Sequence, residues 1–301
     1  MSMNNVLKYP GSKWNMARRL IGLIPPHHSY LEPYFGSGAV LFNKAPSAIE
    51  TVNDLDGDVV NLFKCIQQDS ERLARLVMTT PFSREVYDKP FAPGSSCASR
   101  YQKAACFLIR MWQSHGSRNR TDGYKPGWKY DVVASERMYG LWNWYRLPEW
   151  IIDIAERLRK VQIECRPALK VIERFDDPDV FMYLDPPYLL GTRHGKQYEI
   201  EMTDANHEEL LGAILKSGAK IMVSGYESEM YNDYLRGWNK EHFSVLAEKG
   251  GHRQEVVWMN YEQDKQMSME DMEGMGWSNI ADTVATCVQG MESGAESRRG
   301  R

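Results

Sequence analysis

The chain has 301 residues, 43% of them hydrophobic and 11% aromatic, and a net charge of −3, so it can bury a sizeable core over about two domains and is not a basic protein overall. No apolar run approaches the roughly 20 residues of a membrane span, and the opening "MSMNNVLKYPGSK" lacks the apolar middle of a signal peptide, so no membrane and a cytoplasmic location are expected. The five cysteines (Cys65, Cys97, Cys106, Cys165, Cys287) form no CxxC pair, which points to reduced thiols and no zinc site.

Residues 1–64 read as α/β: "SYLEPY" is a short strand, "FGSG" a tight loop, "AVLFNKA" a helix start, "ETVNDLD" a second strand ending in acids, and "GDVVNLFKCIQQ" a helix. Residues 65–160 change character and read as helical, basic and aromatic, around the turn-rich "SHGSRNRTDGYKPGW". Residues 100–129 hold seven bases and one acid, Asp122, on a body that is otherwise near neutral. The α/β pattern resumes near 161. Strand "DVFMYL" precedes a loop to about 202, then a helix "DANHEELLGAILKSG", strand "AKIMVSGY", helix "SEMYNDYLRG", and strands "HFSVLAE" and "EVVWMNY" around "KGGHRQ". The stretch 262–301, with eight acids and four bases, reads as a disordered tail.

The motifs sit at strand ends. In "YLEPYFGSGAV" a strand, a glycine loop and a helix follow one another, as in a nucleotide-binding turn; Gly36 and Gly38 would let backbone approach a ligand, and an ordinary turn is the alternative. Asp54, about 20 residues on, is placed to accept hydrogen bonds from ribose hydroxyls, or else to cap a helix. Asp56 and Asp58 read as solvated acids of a first helical turn. In "KYPGSK", Lys13 could reach a carboxylate and Tyr9 offers a flat face, or both belong to a surface turn. In "YLDPPY" the prolines end a buried strand, leaving Asp185 at its carboxyl end. The carboxylate of Asp185 and the carbonyl of Pro186 can accept the two hydrogens of an adenine amine, freeing a lone pair otherwise delocalised into the ring. Pro187 fixes the turn before reaction, and Tyr188 offers a face to a base taken out of the helix. A strand end with a proline stop is the plain alternative. No metal is needed for such chemistry.

These motifs, "KYPGSK", "LEPYFGSGAVLFN", "NDLD", "YLDPPY", "MVSGYES" and "EVVWMN" in that order, make the chain resemble the Dam-like, D12 class of DNA adenine methyltransferases across about residues 5–260. The resemblance implies a Rossmann-like, S-adenosylmethionine-dependent methyltransferase fold of α/β class. A catalytic domain of 1–64 and 161–261 would carry an inserted, mainly helical DNA-recognition domain of 65–160. It implies cofactor contacts from Tyr9, Lys13, Glu32, Pro33, Gly36, Gly38, Asp54 and Asp185, and catalysis by Asp185, Pro186, Pro187 and Tyr188. Ser224 and Tyr226 would line the same pocket or belong to a strand-end turn. His207 reads as a helix-surface residue. Double-stranded DNA is the expected partner of a protein expected to be a monomer, with Arg118, Asn119, Arg120, Lys125 and Lys129 as candidate contacts and a solvated basic face as the alternative. Trp142, Trp144, Tyr145 and Trp150 are expected to pack the helical module. Methylation of a cytosine amine, or a DNA-binding module without activity, are the alternatives; Asp rather than Ser at 185 favours adenine, and rather than Asn disfavours a protein glutamine target.

Overall fold

The computed structural model describes residues 3–91, 99–116, 125–130, 139–192, 197–246 and 252–262. Arg118, Asn119 and Arg120 lie outside the described residues, as does the stretch read as a tail apart from Glu262.

Among the described residues seven strands form one sheet in the order β3-β2-β1-β4-β5-β7-β6. They are β1 (Ser29–Glu32), β2 (Ile49–Asn53), β3 (Val161–Glu164), β4 (Val180–Leu184), β5 (Lys220–Gly225), β6 (Asn239–Leu246) and β7 (His252–Met259). The first five are parallel, and β7 runs antiparallel to both β5 and β6. All five residues of β4, "VFMYL", are buried, as a central parallel strand covered on both faces requires. The chain steps outwards from β1 to β2 and β3 on one side and to β4 and β5 on the other. The crevice at the carboxyl ends of β1 and β4 is therefore the topological switch point, where open α/β sheets bind ligands.

Strand alternation divides the core in two. Tyr30, Phe181, Tyr183, Met222 and Val257 face one apolar cluster, and Leu31, Met182, Leu184, Ile221, Val223 and Trp258 face the other. The first cluster is covered by α2 (Ala39–Asn43), α3 (Gly57–Met78), α5 (Arg100–Trp112) and α6 (Tyr139–Leu158), and the second by α7 (Ala168–Arg174), α8 (Asp204–Ile214) and α9 (Glu229–Tyr234). Helix α3 packs along both α5 and α6 and runs through residue 64, with its one non-helical residue at Asp69. Helices α1 (Ala17–Gly22) and α4 (Arg84–Asp88) are short.

Two expectations are corrected here. Of the four aromatics of α6 expected in the core, Trp144 and Trp150 are buried, but Trp142 is 62% and Tyr145 78% exposed. The helical repeat explains the split: Trp144, Leu147, Ile151, Ile154 and Leu158 share one stripe, and Trp142 and Tyr145 point away from it. His207 is not on a helix surface. It is fully buried, its Nδ1 lies 2.9 Å from the Tyr231 hydroxyl, and it helps join α8 to α9.

Candidate active site

The loop after β1 enters α2 through two residues of positive φ, Gly36 (48°) and Gly38 (68°). A Cβ on Gly38 would stand 2.5 Å from ring atoms of Phe35 and Phe42, and one on Gly36 3.1 Å from the Tyr9 ring. Both positions therefore require glycine on steric and conformational grounds.

The loop is tied to the end of β2. Gly36 N–H donates to Asp54 Oδ2 at 2.8 Å, and Asp56 N–H donates to Asp54 Oδ1 at 2.9 Å. Asp54 thus organises two loops and does not cap the next helix; Asp56 does, accepting from Asp58 N–H at 2.9 Å. Asp56 is also buried and accepts the Tyr9 hydroxyl at 3.1 Å, which corrects its reading as a solvated acid: Tyr9 folds over it. Burial pushes the Asp54 carboxyl up to about 7, against the opposing amide bonds from Asp56 and Gly36. Burial likewise pushes Glu32, which accepts the Tyr30 hydroxyl at 2.8 Å, up to about 8.

Lys13 is drawn inwards by the turn at Pro10–Gly11. Only 4% of its side chain is exposed, and Nζ donates to the Gly11 carbonyl at 2.7 Å. Nζ lies 3.1 Å from Asp185 Oδ1, 3.6 Å from Glu255 Oε2 and 4.8 Å from the Tyr188 ring centre. Burial alone would lower the Lys13 pKa, but the two carboxylates outweigh it and hold the ammonium charged. Burial pushes Asp185 up to about 6; Lys13 opposes this shift and Glu255 reinforces it. Lys13 and Asp185 therefore form a buried ion pair, and Lys13 and the Tyr188 hydroxyl both favour the charged carboxylate. Tyr188 packs edge-on to Tyr226 with ring centres 4.6 Å apart and donates its hydroxyl to Glu255 Oε2 at 3.3 Å.

One cavity of about 240 Å³ brings together Tyr9, Lys13, Glu32, Pro33, Gly36, Asp54, Asp185 and Pro187. Gly38, Pro186 and Tyr188 do not line it; Tyr188 stands behind Lys13. Ser224 is fully buried beside the Tyr183 hydroxyl and belongs to the strand interior. Further lining comes from Pro167, Ala168 and Leu169 at the start of α7 and from Tyr198, Ile200, Glu201 and Met202. The Tyr198 ring is 5.9 Å from Tyr9, and Glu201 Oε1 holds its segment by accepting from the amides of Gln197 and Tyr198 at 2.7 and 3.0 Å. Of the basic candidates, Lys125 is paired with Asp88 at 2.6 Å, and Lys129 is half-buried with its amide bonded to the Gln113 carbonyl at 2.8 Å.

Glu255 and Asp56 reach this region without having been singled out for it. For Glu255 the sequence signal is an acid opening the apolar run "VVWM". Since β7 is antiparallel, it enters the sheet at the carboxyl edge, and its early residues fall beside the end of β5.

The sheet order and the cavity at its switch point define a Rossmann-like methyltransferase. Residues 9–250 match the D12 class N6 adenine-specific DNA methyltransferase family, and the chain belongs to that family. Its relatives include a DNA N-6-adenine-methyltransferase of Escherichia phage P1, 22% identical in a match that covers 76% of this chain and 31% of the phage protein; the chain therefore spans under a third of that relative. The type II methyltransferase M.MjaIII of Methanocaldococcus jannaschii is 22% identical over 87% of this chain and its own whole length. The type II methyltransferase M1.LlaDCHI of Lactococcus lactis subsp. cremoris is also 22% identical, over 87% of this chain and 98% of its own. Among the described residues no helix is long and apolar enough to cross a membrane.

Proposed function

We propose that the protein methylates the exocyclic amine of adenine in double-stranded DNA, with S-adenosylmethionine as methyl donor. The observation that carries this reading is Asp185: a carboxylate fixed at the switch point, lining the cavity and paired at 3.1 Å with a buried lysine. The ion pair holds the carboxylate in place, so an amine entering the cavity meets an acceptor fixed beforehand.

The cavity suits the donor molecule. Carboxyl groups of Glu32, Asp54, Asp56, Asp185, Glu201 and Glu209 line it with one lysine, and they offer acceptors to the ammonium and hydroxyl groups of such a ligand. Each oxygen of Asp54 already accepts one amide and keeps a lone pair for a ribose hydroxyl. S-adenosylmethionine supplies an electrophilic methyl group when bound. Asp185 and the Pro186 carbonyl orient the target amine and draw its hydrogens aside, so that the nitrogen lone pair is directed out of the ring system. The prolines fix both acceptors beforehand. Tyr188, braced by Tyr226 and Glu255, is the aromatic wall of an extruded base.

The region 65–160 would choose the target sequence, with 1–64 and 161–261 as the catalytic domain of a cytoplasmic monomer. Arg118, Asn119, Arg120, Lys125 and Lys129 are its candidate DNA contacts, and Lys125 would exchange Asp88 for a phosphate. The type II names of two relatives support site-specific modification.

Transfer of radiolabelled methyl to duplex DNA, followed by digestion to nucleosides, tests the reading with the parent and Asp185→Ala. Label in N6-methyladenine from the parent alone is expected. Label on the cytosine amine would support the alternative base, and DNA binding without transfer by the parent an inactive module.

A further inference from the structure

We infer that Glu255 is a positioning residue of the methyl-transfer site: it is the counter-charge that limits how tightly Lys13 grips Asp185, and the anchor of the Tyr188 hydroxyl. The inference rests on the adenine-methylation reading above. Glu255 is 8% exposed, a burial that a glutamate rarely accepts without partners. Its Oε2 serves two groups at once, Lys13 Nζ at 3.6 Å and the Tyr188 hydroxyl at 3.3 Å. Those two groups in turn flank the reacting carboxylate, one by charge and one by chain continuity through "DPPY".

The charge balance gives this arrangement a purpose. With Glu255 absent, a buried ammonium would face one carboxylate and would neutralise it. Such a pair leaves Asp185 a poor acceptor for an amine that becomes cationic as its nitrogen bonds to carbon. Adding Glu255 shares Lys13 between two carboxylates and leaves the group of three with one surplus negative charge, which favours that developing cation. The same oxygen fixes the plate against which the base would rest. The other groups that face Asp185 are Glu32 on β1, Tyr183 on β4, Tyr188 on its own loop and Tyr231 on α9. Glu255 is placed beside the lysine itself and so divides its charge.

The test compares the parent with Glu255→Gln and Glu255→Asp, with equal melting temperatures as the check on folding. Glu255→Gln keeps an acceptor for Tyr188 and loses the charge. It should lower kcat by about tenfold with KM for S-adenosylmethionine within about twofold, and move the acid limb of the kcat profile to lower pH. Glu255→Asp should restore the limb while recovering only part of kcat. Independently of activity, the Asp185 carboxyl followed by ¹³C NMR, assigned with Asp185→Asn, should titrate lower in Glu255→Gln than in the parent. An unshifted carboxyl titration, or a Glu255→Gln enzyme with parental kcat and pH profile, overturns the inference. A parent that transfers no methyl overturns the adenine reading instead, while the carboxyl titration still decides the role of Glu255.

Discussion

Gly36 N–H and Asp54 Oδ2, 2.8 Å apart, join the ends of β1 and β2 across the mouth of the cavity. Asp54 is a brace for the glycine loop before it is a ligand for anything else. Asp54→Asn replaces one acceptor oxygen by an N–H₂ that must face a backbone N–H, of either Gly36 or Asp56. The loop should open, and affinity for S-adenosylmethionine should fall by about tenfold or more while kcat at saturation changes little. Calorimetric titration beside steady-state kinetics checks both. An unchanged affinity would mean that the brace does not shape the cofactor site.

Gly38 carries a stability prediction. Its φ of 68° costs any L-residue, and a Cβ would meet Phe35 and Phe42 at 2.5 Å. Gly38→Ala should lose about 1–3 kcal/mol from backbone strain, with the ring contacts adding to it. Urea unfolding should show a lower midpoint for the variant at an unchanged slope.

Glu32 makes stability depend on pH. Burial raises its folded pKa from an ordinary 4.5 to about 8. The folded state then holds a proton that the unfolded chain has lost, so stability falls as pH rises from about 4.5 to about 8. Asp54 and Asp185 act with the same sign, so the difference between parent and variant reports Glu32 together with its coupling to Asp185. Glu32→Gln keeps an acceptor for Tyr30 and cannot ionise. Its melting temperature relative to the parent should climb across that window and be flat below it; a flat difference throughout would place the ionised carboxylate in no deficit.

Much of the sheet was legible because buried parallel strands and strand-end acids mark themselves: "VFMYL" before Asp185 and "TVN" before Asp54 became β4 and β2. The glycine loop was legible because only glycine fits its dihedrals. What escaped depends on pairings across the chain. Nothing local in "EVVWMN" says that Glu255 will meet Lys13, 242 positions earlier, since the antiparallel insertion of β7 between β5 and β6 creates that meeting. Asp56 reads as a surface acid because its cover, Tyr9, lies 47 positions earlier, outside the local pattern. His207 reads as a surface residue for the same reason, its partner Tyr231 lying on another helix.

Helix α6 offers a direct comparison of stripe and composition. "LWNWYRLPEW" is aromatic throughout, and composition alone sends every ring inwards. The helical repeat separates Trp144, 5% exposed with its indole N–H bonded to the Thr80 carbonyl at 3.0 Å, from Trp142 and Tyr145 on the outer side. Trp144→Ala should therefore cost about 3–5 kcal/mol, since it empties a packed site and orphans a carbonyl. Trp142→Ala and Tyr145→Ala should each stay within about 0.5 kcal/mol of the parent, as surface changes do. Urea unfolding of the three variants checks the order. A loss for Trp142→Ala matching that for Trp144→Ala would mean that the outer face of α6 is covered in the folded protein.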